Sequence, residues 1–207
     1  MKTNSLVLAS SSTYRKELLK KLQLNFICAH PEIDESKKKG ESPTEMALRL
    51  AKEKAATLTT TYPKHLIIAS DQVAMLEKMQ LKKPGNHSNA IKQLQLSSGK
   101  PVKFYTSVCI LNTSTGEFKS AIDTCTVHFK KLTKQQIINY INLEQPYDCA
   151  GSFKSEGLGI ALFDRIQGDD PNALIGLPLI KLIALLNAFD IDVLSKEQDI
   201  PSLPNIS

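Results

Sequence analysis

Four stretches of this 207-residue sequence place groups that can bind or activate an anion where the chain changes direction. In Ala9-Ser10-Ser11-Ser12-Thr13-Tyr14-Arg15, an apolar run ends in small hydroxyl residues and feeds a helical pattern. A helix start offers free backbone N–H groups and the positive end of the helix dipole, so it favours anions. Arg15 in the first turn adds a planar fork suited to phosphate. The plainer alternative is a capped helix with Arg15 in solvent. No glycine-lysine-threonine follows, so the stretch is not a Walker loop.

The second group is acidic. Asp34 and Glu35 fall in a loop, whereas Asp71 sits where the apolar run Leu66 to Ala69 gives out. A carboxylate there must be paired or used, because burying it alone is costly. Carboxylates converging on one cleft form a hard oxygen site suited to magnesium, and one of them can act as general base toward water. The third group is Lys54 and Lys83. Lys54 lies in the apolar stripe of a helical pattern, where a lysine usually snorkels to the surface. Lys83 precedes Pro84 and is pinned by a stiff turn. Both are suited to neutralising a polyphosphate. The fourth stretch, Ala150 to Gly157, has small residues that permit close backbone approach to a ligand, or else form an ordinary surface loop.

The elements that must hold these groups follow from periodicity. Continuous apolar runs at Leu6 to Ala9, Phe26 to Ala29 and Leu66 to Ala69 read as buried strands, with Ser70, Asp71 and Gln72 at or just past the end of the third. A helix is expected from Thr13 to Leu22. Ser42-Pro43-Thr44-Glu45 opens another with a capping box, running to about Thr59. Pro84-Gly85-Asn86 turns into a helix through Leu94. Val102 to Ile110 alternates with a period of two and pairs as a hairpin with a second strand ending near Lys130. Thr133 caps a helix through about Leu143, Gly159 to Phe163 reads as a strand, and Pro178 to Phe189 as a buried helix. The order is α/β with a mixed central sheet and flanking helices. Residues 1–193 form one domain, and 194–207 read as a loose tail.

Composition excludes several classes. The net charge of +5 and pI near 8.9 admit anionic partners. No interleaved aromatics or binding motif supports nucleic acid, and Lys20-Lys21 and Lys37-Lys38-Lys39 read as solvated faces. The four cysteines are scattered, which argues against structural zinc and disulfides. Cys28, Cys109 and Cys149 read as free buried thiols. No run reaches the roughly 20 apolar residues of a membrane span, and the apolar stretch near the N-terminus is too short for a signal peptide, so the cytoplasm is the expected location.

The motifs occur together and in one order. Leu-Ala-Ser-x-Ser-x-x-Arg is Leu8 to Arg15, Glu-x-Asp-Glu is Glu32 to Glu35, and Leu-Ala-x-x-Lys-Ala is Leu50 to Ala55. Ser-Asp-Gln-Val is Ser70 to Val73, Lys-Pro is Lys83-Pro84, Ala-Gly-Ser-Phe is Ala150 to Phe153, and Gly-Leu-Pro is Gly176 to Pro178. In these the chain resembles the Maf family over about residues 6 to 189. The resemblance implies two α/β lobes around a cleft, the fold shared with inosine triphosphatase-like enzymes. It also implies a metal-dependent nucleoside triphosphate pyrophosphatase, using magnesium or alternatively manganese, with a homodimer as the family-level expectation. It assigns Asp71 as proton acceptor, Ser10, Arg15, Lys54 and Lys83 to phosphate, and Asp34 and Glu35 with Asp71 to metal.

Three positions bear on the base within that family: Tyr14, Gln72 and Glu156. They resemble the 7-methyl-GTP branch more than the dTTP/UTP branch, which carries Arg, Thr and Gln there. A 7-methylguanine ring is cationic and favours an aromatic face, while Glu156 can accept from its N1–H and amino edge. Three departures stand out. Thr13 replaces a common Pro, Tyr14 replaces Trp and offers a smaller face, and Ser107 stands where Gly is usual and is expected to narrow the approach to the cleft. The rival reading is a nucleotide-binding regulator of cell division acting through a protein partner, from which release of pyrophosphate would separate the enzyme.

Overall fold

The computed structural model describes residues 5–195, so most of the expected loose tail lies outside the described residues. A seven-stranded mixed sheet runs through the protein. Its elements are β1 (Ser5–Ala9), α1 (Thr13–Lys20), β2 (Phe26–Ala29), α2 (Pro43–Ala56), β3 (His65–Leu76), β4 (Met79–Leu81) and α3 (His87–Ser97). They continue with β5 (Pro101–Asn112), β6 (Glu117–Phe129), α4 (Lys134–Glu144), a 3-10 helix at Leu158–Leu162, β7 (Phe163–Gln167) and α5 (Leu179–Asn187). The sheet order is β2-β1-β3-β5-β6-β7, with β4 on β3. β1 pairs in parallel with β2 and β3, and the remaining pairs are antiparallel.

Local chemistry sets the helix starts. Ser12 Oγ accepts from the Arg15 N–H, and Asn86 and Thr133 cap α3 and α4. Ser42 and Glu45 complete a reciprocal capping box with Pro43 in the first turn of α2. α5 has no such neighbour. Its Ile180 N–H is instead met at 2.6 Å by Asp170, ten residues upstream.

Three elements depart from the sequence expectation. β3 does not end near Ala69 but continues to Leu76, so Asp71 lies mid-strand opposite Ser107 of β5. The apolar run stops, yet the ladder with β5 persists from Leu66 to Met75, because each polar side chain finds a partner. The strand expected over Gly159 to Phe163 begins only at Phe163, as β7; Leu158–Leu162 winds into the 3-10 helix. Gly159 packs on the Lys154 carbonyl, where any Cβ would collide, and that close approach fixes the tight turn. Cys28 is exposed rather than buried, since β2 is an edge strand.

The long strands β3, β5 and β6 each pass from one apolar cluster into another. Leu66 and Ile68 of β3 with Val108 and Ile110 of β5 pack under α1 and α5. Ala74 and Leu76 with Val102 and Phe104, joined by Cys125, Val127 and Phe129 of β6, pack against α3 and α4. Between the clusters lies a cross-strand polar row, Gln72–Thr106–Asp123. β3 is also open there on its other edge. β1 pairs with it over residues 65–68 and β4 over 74–76, leaving 69–73 without a strand.

Asp123 ends this row 4% exposed, with Oδ1 lacking any partner among the described residues. Burial pushes its carboxyl above the ordinary value of 3.8, and the charges of Asp170 and Asp169 add to the effect. A raised native pKa means that the folded state binds a proton that the unfolded chain has released, so this group costs stability as pH rises through its native value. We predict that Asp123→Asn stabilises the protein at pH 7.5 by about 1–2 kcal/mol in urea denaturation. The gain should shrink as pH falls and vanish below the ordinary carboxylate value of 3.8.

Candidate active site

A cleft of about 890 Å³ opens along the unpaired stretch of β3. Its lining includes Ser10, Tyr14 and Arg15 at the start of α1, Asp34 and Glu35 of the acidic loop, and Lys54 of α2. Asp71 and Gln72 of β3, Lys83 after β4 and Glu156 of the 148–156 loop complete it. All ten residues singled out from sequence therefore border one space.

Lys54 and Asp71 are its buried centre. Strand alternation turns Asp71 to the same face as Ile67, Ala69 and Val73, the face that α2 covers with Ala47, Leu50, Ala51 and Ala55. Lys54 shares that helical stripe and does not reach solvent; it is 7% exposed and Asp71 is 6% exposed. Lys54 Nζ lies 2.5 Å from Asp71 Oδ1 and 2.7 Å from Glu35 Oε1. Burial pushes the Asp71 carboxyl above its ordinary value, against the opposing pull of Lys54 and Arg15. Glu35 is exposed, and the outcome reverses. Its partial burial is outweighed by Lys54, Lys83 and Arg15, which hold it below the ordinary carboxylate range.

Arg15 is partly buried rather than free in solvent. Its Nε donates to the Gly176 carbonyl at 2.9 Å, which also accepts from Ser70 Oγ at 2.7 Å. Burial lowers the pKa of Arg15, while Asp71 and Glu35 oppose that shift. Beside it, the Ser12 N–H donates to Ser10 Oγ at 3.1 Å. The N–H groups of Thr13 and Tyr14, in the first turn of α1, have no acceptor among the described residues. Lys83 is exposed. The carbonyls on either side of it, of Lys82 and Pro84, are held by Gln93 and Asn89 of α3 at 2.9 and 3.0 Å.

Asp34 borders the cleft, but its two oxygens accept from the N–H and hydroxyl of Ser36 at 2.9 and 2.8 Å. Those bonds hold its carboxyl below the ordinary range. Among the described residues no three acidic, His or Cys groups form a metal cluster. Glu35 and Asp71, both hard oxygen donors, meet at Lys54 instead. That pair suits magnesium, which typically takes one or two carboxylates and fills its shell with substrate phosphate and water.

At the far end, Tyr14 is partly buried and its Oη lies 3.7 Å from Cys149 Sγ. Burial raises the Tyr14 pKa, and Cys149, Asp148 and Glu156 raise it further. Burial likewise pushes the Cys149 thiol up to about 12. This end of the cleft therefore presents an aromatic ring beside two carboxylates.

Several contributors were missed by sequence. Ser107 does not narrow the cleft. Fully buried, it bonds Ala47 O at 2.6 Å and accepts from the Asp71 N–H at 3.3 Å, tying α2 to β3 behind the ion pair. Arg49 clamps the acidic loop onto α2 through both Glu41 oxygens (2.5 and 2.9 Å), Glu53 (2.9 Å) and Ser36 O (3.0 Å). Arg49 lies on the polar flank of α2, where a charge ordinarily reads as solvated. The Gly176 carbonyl leaves no side-chain signal at all.

A protein from Colwellia psychrerythraea named 7-methyl-GTP pyrophosphatase is 52% identical over 197 residues, covering 95% of this chain and 98% of the relative. Relatives of the same name from Methylobacillus flagellatus and Nitrosococcus oceani are 52% and 53% identical. They cover 91% and 88% of this chain, and 98% and 92% of their own lengths. Among solved structures, a HAM1 protein from Coxiella burnetii aligns over 90% of this chain and 100% of its own, at 13% identity and a TM-score of 0.49, a likeness too distant to carry weight. The sequence model described as Maf-like protein matches residues 5–189, and with these relatives it makes the chain a member of the Maf family.

Proposed function

We propose that this chain is a nucleoside triphosphate pyrophosphatase whose preferred substrate is 7-methyl-GTP. The observation that carries the reading is the buried Lys54–Asp71 pair in a cleft that also holds Arg15 and Lys83. A carboxylate made more basic by burial, paired with a lysine and surrounded by cations, suits activation of water next to a polyphosphate. The substrate follows from the names of relatives half identical to this chain and from the charge of the base end. An aromatic ring flanked by Glu156 and Asp148 suits a cationic purine better than a neutral base.

In this reading the triphosphate lies along the start of α1, with its charge offset by Arg15, Lys54 and Lys83 and by the free N–H groups of the first turn. Asp71 accepts the proton of a water whose oxygen bonds to the α-phosphorus. The bond from that phosphorus to the α–β bridging oxygen breaks, and pyrophosphate leaves with its electron pair. Glu35 and Asp71 would hold the magnesium, which supplies positive charge to the phosphate oxygens. Electrostatic stabilisation of the transferring group is the largest contribution expected.

The test is pyrophosphate release in magnesium from 7-methyl-GTP, GTP, dTTP and UTP, with 7-methyl-GTP expected to give the highest kcat/KM. A preference for dTTP or UTP would overturn the base assignment. Asp71→Asn should fold normally and lower kcat by roughly a thousandfold or more, since it removes the group that takes the proton from the attacking water. In the wild type, the acid limb of the pH–rate profile should lie above the ordinary aspartate value of 3.8, because the base is lost as pH falls through its raised pKa.

A further inference from the structure

Glu156 has little of its own to hold it. The residue is exposed, and among the described residues its carboxylate accepts a hydrogen bond only from the neighbouring Ser155 Oγ, at 3.4 Å. Its place in the cleft is therefore set by the backbone that carries it. Ser155 and Glu156 border the cleft, whereas Lys154, Gly157 and Leu158 do not. The two bordering residues form the apex of a turn whose legs rest elsewhere.

Both legs rest on the end of α4. The last carbonyls of a helix lack partners within it, and a cation there is favoured. Lys154 Nζ meets that need by donating to Glu144 O at 2.8 Å, and the Lys154 N–H donates to Tyr140 Oη at 3.0 Å. On the other leg, the Leu158 N–H donates to Glu144 Oε1 at 2.7 Å. Tyr140 and Glu144 are four residues apart, so they stand on one face of the helix. Between the legs, the Gly157 N–H reaches Lys154 O at 3.3 Å. Gly157 packs against the Glu144 carboxylate, which a Cβ would meet at 2.9 Å. Phe153, just before the turn, is fixed edge-to-face among Phe104, Phe129 and Phe163.

We propose that Tyr140 and Glu144 are positioning residues for base selection, holding the 154–158 turn so that Glu156 stands at the base end of the cleft. The role rests on the reading of 7-methyl-GTP as substrate, since it needs a cationic base for Glu156 to meet. Tyr140 is buried and neither residue borders the cleft, so both act through the turn and not by touching the nucleotide. Removing the Tyr140 hydroxyl or the Glu144 carboxylate leaves a backbone N–H of the turn without its acceptor. The turn then samples other arrangements, and Glu156 is less often where the base lies. Arg15, Lys54 and Lys83 are held by other elements and keep their places.

The pair 7-methyl-GTP and GTP, which differ by a methyl group and its charge, reads the base end; inorganic tripolyphosphate, which has no base, reads the phosphate end. The ratio of kcat/KM for 7-methyl-GTP over GTP should fall by roughly three- to tenfold in Tyr140→Phe and in Glu144→Leu, the usual consequence of losing a buried hydrogen bond. Glu144→Gln keeps an acceptor oxygen without the charge and should retain the wild-type ratio. In a Glu156→Ala background, Glu144→Leu should lower the ratio no further, because both changes remove one shared interaction. Tripolyphosphate binding in magnesium, measured by titration calorimetry, should change less than about twofold in Tyr140→Phe and Glu144→Leu, as expected of distant, independent sites.

Loss of the preference in Glu156→Ala, with the preference kept in Tyr140→Phe and Glu144→Leu, would overturn the positioning role and leave the substrate reading standing. Tripolyphosphate affinity that falls in step with the ratio would also overturn it, since a contact that merely supports the fold disturbs both ends. So would a Glu144→Gln protein that loses the ratio, because the charge of Glu144 and not its bond would then matter. Thermal melts accompany each variant, and if Tyr140→Phe fails to fold, the Glu144→Leu and Glu144→Gln pair decides. A wild type with no preference for 7-methyl-GTP over GTP would refute the substrate reading, and the positioning role with it.

Discussion

One lysine nitrogen between two carboxylates organises this protein. Lys54 Nζ sits on Asp71 and Glu35 and joins a helix, a strand and a loop that are far apart in sequence. Removing a charge from water is costly, and a buried carboxylate lowers stability unless a partner compensates. The rest of the site can be read as the means of keeping that pair in place. Ser107 fastens α2 to β3 behind it, and Arg49 pins the acidic loop that delivers Glu35. The packing of Ala47, Ala51 and Ala55 brings the helix backbone close enough for a lysine to stop short of solvent.

The fold makes room for this by a discontinuity. β3 runs from one apolar cluster into the other, and its outer edge carries β1 at one end and β4 at the other. Ser70 to Gln72 fall in the gap. Alternation then sends Asp71 toward α2 and sends Ser70 and Gln72 toward the 170–176 turn, so neighbouring residues serve opposite walls of one cleft. The electrostatics are asymmetric as well. Cations gather around Asp71 and Glu35, whereas Asp148 and Glu156 surround Tyr14 at the other end. A ligand with an anionic tail and a cationic ring matches that polarity in one orientation only.

Much of this was legible in the sequence, for reasons that are themselves physical. Capping residues and period-two alternation are local signals, so α2, α4 and the β5–β6 hairpin could be placed closely from Ser42, Glu45, Thr133 and the 102–110 pattern. Asp71 stood out because an ionisable group at the end of an apolar run demands an explanation. Its place in mid-strand was not legible, because the partners that let the ladder continue come from α2, β5 and residue 176. Ser107 was read as an obstruction at the cleft and proved to be a buried clip, since a hydroxyl does not announce which backbone carbonyl it will meet. The role of a glycine carbonyl in aiming Arg15 has no side-chain signature in any sequence.

Burial pushes the Asp71 carboxyl above an ordinary aspartate while Lys54 still pairs with it. Carbon-13 NMR of the Asp71 carboxyl carbon, followed through an acid titration of the folded protein, reads this directly. The expected midpoint lies above the ordinary 3.8. A midpoint at or below that value would show that the ion pair dominates desolvation, and would contradict the picture of Asp71 as a base strengthened by its surroundings.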